Sequence, residues 1–278
     1  MTTTIMLIHG AWLTPAAWDP FKHRYEAAGY KVVAPPWPYM DRPIAELRSA
    51  PDPGLKTLSI KKIVDHYEAL IAAMPEKPIL IGHSFGGLIV QHLLDRGLGA
   101  AGVAIDPAVP TGVLPGLKAL QSALPVLLTW NGWNRVLTMS LEGFRRDFAQ
   151  TLSEAQALSA YERYVVPAPG RIYFQAAIGI ENSVDWASEE RAPLLFIAGE
   201  KDRTSEPAMA RAAARKFSRS KAKVDYHEFP GRSHWLCADQ GWEEIADYAL
   251  VWAVEQTTKS VALHKVFAPK PKAKVAAA

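Results

Sequence analysis

The chain alternates short runs of apolar, β-branched residues with longer segments in which apolar residues recur every three or four positions. Short continuous apolar runs are typical of strands buried on both faces of a parallel sheet, and the longer segments are typical of helices packed against it. This alternation predicts an α/β fold with a mostly parallel sheet covered on both sides. The predicted strands are 4–9, 31–34, 78–82, 102–105, 194–198 and 223–229.

The helical segments lie between these strands. Segment 59–74 is the clearest, because its apolar residues fall at spacings of three and four and so form one apolar face. The predicted helices are 15–28, 59–74, 85–96, 207–217 and 242–254.

Two stretches interrupt the alternation. Residues 34–55 contain six prolines, which predicts a long loop. Residues 107–190 separate two predicted strands by far more than the dozen or so residues that a crossover between parallel strands needs. This second stretch carries helical patterns at 141–152 and 153–164, and we interpret it as an inserted helical lid. The predicted organisation is a core of residues 1–106 and 191–256, a lid of residues 107–190 and a tail of residues 257–278.

Composition and charge narrow the class of protein. The 278 residues are 49% apolar and 21% charged, as in ordinary globular proteins. The chain has a formal net charge of +3, and five lysines and no acidic residue lie in its last 22 residues. The rest of the chain therefore carries a net charge of −2. A near-neutral body argues against nucleic-acid binding, and the low-complexity basic tail is expected to be disordered. The sequence has one cysteine and no signal-like segment at its N-terminus, which predicts a cytoplasmic protein. It has no apolar run long enough to cross a bilayer, so we expect no membrane span.

The chemistry concentrates at Gly82-His83-Ser84-Phe85-Gly86, between a predicted strand and a predicted helix. A serine at such a turn adopts a strained backbone conformation that points its hydroxyl away from the sheet. The two glycines leave room for the close approach of the flanking backbone. The amides at the start of the helix face any negative charge that develops beside the serine. The motif therefore predicts Ser84 as a nucleophile.

A serine nucleophile needs a base, and the base needs an orienting acid. Asp202 and His234 follow the two last predicted strands, and the carboxyl ends of parallel strands meet at one edge of a sheet. These positions predict a Ser84–His234–Asp202 triad. No grouping of histidines with carboxylates indicates a metal site, and no motif indicates a cofactor.

The elbow and the order serine, aspartate, histidine resemble the α/β-hydrolase family over residues 4–256 of this chain. The resemblance implies a sheet of about six strands, and it matches Ser84, Asp202 and His234 to the family's triad. The segment His9-Gly10-Ala11 is similar to the family's oxyanion loop, which implies that the backbone amides of Ala11 and Phe85 bind the oxyanion. Some members place the acid one strand earlier, so Asp106 is the alternative acid.

Aromatic residues near the predicted site and in the lid are candidates for a substrate pocket, although packing between lid and core explains any one of them equally well. These candidates are Trp12 and Trp37 near the site, and Trp130, Trp133, Phe144 and Phe148 in the lid. They favour a small apolar substrate.

The resemblance leaves several activities open. The leading interpretation is hydrolysis of a carboxylic ester or related acyl bond through an acyl-enzyme. A C–C bond hydrolase or lyase, or a cofactor-free haloperoxidase, uses the same triad. A receptor that binds a small molecule without turnover is the interpretation from a different class.

Overall fold

The computed structural model describes residues 4–257. Within these residues six strands form one parallel sheet, and two short strands form a separate antiparallel pair. The strands are β1 (Thr4–Ile8), β2 (Lys31–Val33), β3 (Ile79–His83), β4 (Ala101–Ile105), β5 (Val136–Leu137), β6 (Ala168–Pro169), β7 (Leu194–Gly199) and β8 (Val224–Phe229). The order across the large sheet is β2-β1-β3-β4-β7-β8, and every neighbouring pair is parallel. The predicted fold class is confirmed.

Each face of the sheet is covered by its own apolar core. Along β1 the side chains alternate, so that Met6 and Ile8 pack in one core and Ile5 and Leu7 in the other. All four are fully buried. Such two-sided burial requires an uninterrupted apolar run, which is why the strand shows no polar alternation.

The helices are divided between these two cores. They are α1 (Asp19–Ala27), α2 (Ile44–Ser49), α3 (Ile60–Ala72), α4 (Phe85–Asp95), α5 (Leu117–Leu127), α6 (Leu141–Gly143), α7 (Glu154–Tyr164), α8 (Arg171–Ile178), α9 (Pro207–Phe217) and α10 (Trp242–Thr257). Helices α3, α4 and α9 pack in the core of Met6 and Ile8, and α1 and α10 pack in the opposite core. None of the helices within residues 4–257 is long and apolar enough to cross a bilayer.

The prediction of a long loop over residues 34–55 was wrong in part. This stretch contains α2 and a 3₁₀ helix, Pro53–Thr57. Pro43 is the N-cap of α2 and Pro53 is the first residue of the 3₁₀ helix. A proline at the start of a helix loses no hydrogen bond there and has the required φ, so these prolines begin helices and do not prevent them.

Residues 107–190, which we call the cap segment, connect the neighbouring strands β4 and β7. Of its two predicted helices, 153–164 corresponds to α7. The other, 141–152, was too long: it consists of α6 followed by a π-helical turn, Phe144–Phe148. Helices α5 and α8 and the β5–β6 pair were not predicted. Helix α5 contains a proline and leaves Leu117 and Leu124 exposed, so its pattern was a weak signal.

The predicted tail lies almost entirely outside the described residues. Its first residue, Thr257, is the last residue of α10.

Candidate active site

Ser84 lies in a strained turn between the end of β3 and the start of α4. Its φ is +56° and its ψ is −122°, a conformation that non-glycine residues rarely adopt. A Cβ on Gly82 would overlap the carbonyl of Gly86, and a Cβ on Gly86 would overlap the carbonyl of Ile8. Both glycines are therefore required, because the elbow is pressed against its own strand and against β1.

A short hydrogen bond joins His234 to Asp202. His234 Nδ1 lies 2.6 Å from Asp202 Oδ2, and both side chains are fully buried. The other oxygen, Asp202 Oδ1, accepts hydrogen bonds from the amides of Thr204 (2.7 Å) and Ser205 (2.8 Å). These donors fix the carboxylate, which in turn fixes the tautomer of His234 with its proton on Nδ1 and a free lone pair on Nε2.

His83 ties the loop of His234 to the elbow. His83 Nε2 donates a 2.8 Å hydrogen bond to the carbonyl of His234, and the two rings lie 4.7 Å apart. Because His83 directly precedes Ser84, this contact brings the three predicted residues to one edge of the sheet. His234 Nε2 is buried and has no hydrogen-bond partner among the described residues, so it is not bonded to the Ser84 hydroxyl in this conformation. Hydrogen bonds of this kind often tighten only when substrate binds.

The loop after β1 lies beside the serine. A Cβ on Gly10 would be 2.8 Å from Cβ of Ser84. The amides of Ala11 and Phe85 donate no hydrogen bond to any group in residues 4–257, and Phe85 N is one of the free amides at the start of α4. Two unpaired donors therefore belong to the segments next to Ser84, one in the loop after β1 and one at the start of α4.

Aromatic rings surround this edge. Trp12 has a φ of +61° and stacks on Tyr173 at 4.8 Å, and Tyr173 packs edge-on against Phe85 at 4.9 Å. From the cap segment, Phe148 lies edge-on to His234 with 4.5 Å between ring centroids. Tyr173 was missed from the sequence because α8 was not predicted.

The four predicted pocket tryptophans are not together. Trp12 borders a cavity of about 150 Å³ lined also by Val126, Met139 and other residues of the cap segment. Trp37 is buried against His9, 4.9 Å between rings. Trp133 packs on Phe174 and Arg171, and Trp130 is 89% exposed. Only Trp12 of this group lines the cavity.

Asp106, the alternative acid, is also buried at this edge. It forms no hydrogen bond with His234; its Oδ1 accepts from the amide of Gly199 at 2.7 Å. One side-chain nitrogen or oxygen of each of His83, Asp106 and His234 lies within 4.8 Å of those of the other two. The sequence indicated no such grouping. The grouping arises where the ends of β3 and β4 meet the loop that follows β8, and His83 Nε2 and His234 Nδ1 are engaged in hydrogen bonds there.

Two buried histidines make stability depend on pH. Burial lowers the pKa of His9 and of His92 to about 4 in each case, against hydrogen bonds to Gly10 and Asn182 that raise it. Between pH 6.5 and pH 4 the unfolded chain binds more protons, so the free energy of unfolding falls as the pH falls. Each histidine is expected to contribute about 2 kcal/mol of this loss between pH 7 and pH 5. Urea unfolding at the two pH values measures it.

His92→Gln is the matched variant, because a glutamine amide still donates to Asn182 but does not titrate. Its stability should fall by about 2 kcal/mol less than that of the unmodified protein over the same pH interval. Equal pH dependence in the two proteins would show that His92 is not held neutral.

A parallel sheet that carries a strained serine at a strand-to-helix turn, beside a buried aspartate–histidine pair, defines a serine hydrolase of the α/β class. A model of the alpha/beta hydrolase family matches residues 5–248. This chain belongs to the alpha/beta hydrolase family.

Three solved structures share the fold at low sequence identity. The monoacylglycerol lipase of Paleococcus ferrophilus is 22% identical, with 92% of this chain and 96% of that chain covered and a TM-score of 0.64. A methylesterase from Arabidopsis is 15% identical, with coverages of 91% and 99% and a TM-score of 0.67. A pyrethroid hydrolase from Sphingobium faniae is 20% identical, with coverages of 91% and 98% and a TM-score of 0.62. No curated protein matches this sequence.

Proposed function

We propose that this protein hydrolyses carboxylic esters of small, apolar molecules through an acyl-enzyme. The observation that carries the proposal is the buried His234–Asp202 hydrogen bond of 2.6 Å, which leaves Nε2 of His234 without a partner at the edge where the elbow presents Ser84. An oriented imidazole with a free lone pair is what a serine hydroxyl needs to become a nucleophile.

The proposed reaction has two steps. Ser84 Oγ attacks the ester carbonyl carbon as His234 Nε2 takes the hydroxyl proton, and Asp202 stabilises the resulting imidazolium. The amides of Ala11 and Phe85 hold the oxyanion, and His234 then gives its proton to the departing alcohol. In the second step His234 removes a proton from water as the water oxygen attacks the acyl carbonyl carbon. The bond to Ser84 Oγ then breaks, His234 returns its proton to Oγ, and the carboxylic acid is released.

We also propose that the cap segment acts as the lid of a core formed by residues 1–106 and 191–256. Its contacts with the site support this role: Phe148 lies on His234, the amide of Val166 donates to the carbonyl of Trp12 at 2.9 Å, and the carbonyl of Asp147 accepts from the hydroxyl of Thr204 at 3.0 Å.

The single buried thiol, Cys237, favours a cytoplasmic location.

We propose that the cavity beside Trp12 receives the acyl group of the substrate, because Trp12 directly follows Ala11, whose amide we assign to the oxyanion. Its volume of about 150 Å³ is small against the roughly 300–1,000 Å³ of typical ligand sites, so short acyl groups are favoured. The names of the three structural neighbours, a lipase, a methylesterase and a hydrolase, agree with an ester substrate.

A series of p-nitrophenyl esters with acyl chains of increasing length tests this proposal. We expect kcat/KM to be highest for the shortest chains and to decrease as the chain outgrows the cavity. Turnover that rises with chain length would overturn the size argument. No turnover of any member would overturn the ester assignment and point to C–C bond cleavage.

A further inference from the structure

Asp106 is buried in a strained backbone conformation at the edge of the sheet where the site forms. It directly follows β4, its side chain is fully buried, and its φ of +43° lies in the left-handed region that disfavours most side chains. Strained backbone of this kind persists only where the surrounding structure holds it in place, and it concentrates at functional sites.

One oxygen of Asp106 is tied to the loop that carries Asp202. Asp106 Oδ1 accepts a 2.7 Å hydrogen bond from the amide of Gly199, the last residue of β7. The carbonyl of the same Gly199 accepts from the amide of Asp202 at 3.0 Å. Two hydrogen bonds therefore connect Asp106 to the backbone of Asp202.

The carboxyl group of Asp202 is a close neighbour of the carboxyl group of Asp106. Asp106 Oδ2 is buried and finds no hydrogen-bond donor among the described residues. Two ionised carboxylates can only repel each other there, whereas one shared proton converts the contact into a strong hydrogen bond.

We propose that Asp106 is a positioning residue that stays protonated and donates a hydrogen bond from Oδ2 to Asp202, so that the catalytic acid group is a pair of carboxyls with a single negative charge. This inference rests on the proposed triad, and it concerns a role of Asp106 that differs from that of the alternative triad acid. Asp202 then accepts from four donors: Thr204, Ser205, His234 and Asp106.

The charges around Asp106 support the protonated form. Burial, followed by the negative charge of Asp202, raises the pKa of Asp106 well above its usual range, against the opposing hydrogen bond from Gly199. Two of the buried titratable groups around it, His83 and Cys237, supply no positive charge. Burial lowers the pKa of His83 well below its usual value, as does the nearby His234, and burial raises the pKa of the Cys237 thiol, so both are neutral.

The proton on Asp106 is expected to affect the catalytic base, His234. A neutral donor spreads the charge of Asp202 and keeps its carboxylate aligned with His234 Nδ1, without adding a second negative charge beside the imidazole. The imidazole of His234 therefore stays oriented as a general base.

Three variants separate a neutral Asp106 from an ionised one. In Asp106→Asn the amide keeps the acceptor for Gly199 and the donor for Asp202, and asparagine tolerates a positive φ. We expect its kcat to stay within about threefold of the unmodified protein, whereas Asp202→Asn should lose about 10⁴-fold, as in a triad with the wrong histidine tautomer. Asp106→Gly fits the backbone but removes the donor, and it should lose about 10–100-fold, as when a group that orients a ligand is removed.

The pH profile of kcat/KM distinguishes positioning from a structural role. The acid limb should be unchanged in Asp106→Asn and should move to higher pH in Asp106→Gly, because Asp202 without its donor attracts the imidazolium proton more strongly. An acid limb that moves down by about one unit or more in Asp106→Asn would mean that a negative charge had been removed, which overturns the proposal. An unchanged kcat and profile in Asp106→Gly would overturn the positioning role.

Infrared difference spectroscopy between the unmodified protein and Asp106→Asn gives a readout that does not depend on activity. We expect loss of the carbonyl band of a protonated carboxyl group. Loss of carboxylate bands instead would overturn the proposal. If the protein turned over no ester at all, the proposed function would fail while this band still reported on the proton of Asp106, so the two failures are distinguishable.

Discussion

Ser84→Ala is expected to reduce ester turnover by about 10⁶-fold, to the level left by substrate binding and the oxyanion amides. The change removes one oxygen atom and leaves the Cβ, so the contacts of the elbow with Gly10 and its backbone angles are retained. The initial rate with p-nitrophenyl acetate measures the loss, and thermal unfolding should show a stability close to that of the unmodified protein.

Ser233→Ala is the matched control. Ser233 is a fully buried serine next to His234, and its hydroxyl accepts from Thr151 at 2.8 Å. Losing such a hydrogen bond costs about 1 kcal/mol, which limits any effect on rate to roughly tenfold. Equal activity of Ser84→Ala and the unmodified protein would exclude Ser84 as the nucleophile.

His234→Asn should reduce turnover by a similar factor of about 10⁶, because the serine loses its base and the leaving group its acid. The double variant with Ser84→Ala should be no slower than either single variant, since residues that act as one unit lose their contribution together. Multiplied losses in the double variant would show that the two residues act separately.

A fluorophosphonate that labels activated serines distinguishes an enzyme from a receptor with the same fold. The unmodified protein should label rapidly, His234→Asn slowly although Ser84 is present, and Ser84→Ala not at all. Folded, unmodified protein that fails to label would contradict the proposed mechanism and favour a binding role.

The sheet could be predicted from the sequence because the residue patterns that indicate its strands and its turn are local. β1 is apolar on both faces, and Gly82 and Gly86 belong to a turn whose steric needs allow few alternatives. The bounds of the six strands of the parallel sheet differ from the predicted ones by one residue at most at either end.

The lining of the site was harder to predict from the sequence, because it depends on how the cap segment packs. Trp130 and Trp133 are aromatic residues of the kind that line pockets, yet Trp130 is exposed and Trp133 packs within the cap segment. Tyr173 lies beside Phe85 only because of how α8 is placed. Likewise the sequence offered Asp106 and Asp202 as rivals for one role, whereas the structure buries both and links them through the backbone of Gly199.

The ring of Phe148 has a consequence for building hybrid enzymes. This ring belongs to the π-helical turn of the cap segment, and it packs edge-on against the imidazole ring of His234. Grafting the cap segment of a relative onto this core would therefore replace part of the surroundings of the base as well as the specificity pocket. A chimera that is meant to change substrate preference alone has to retain the aromatic side chain at this position.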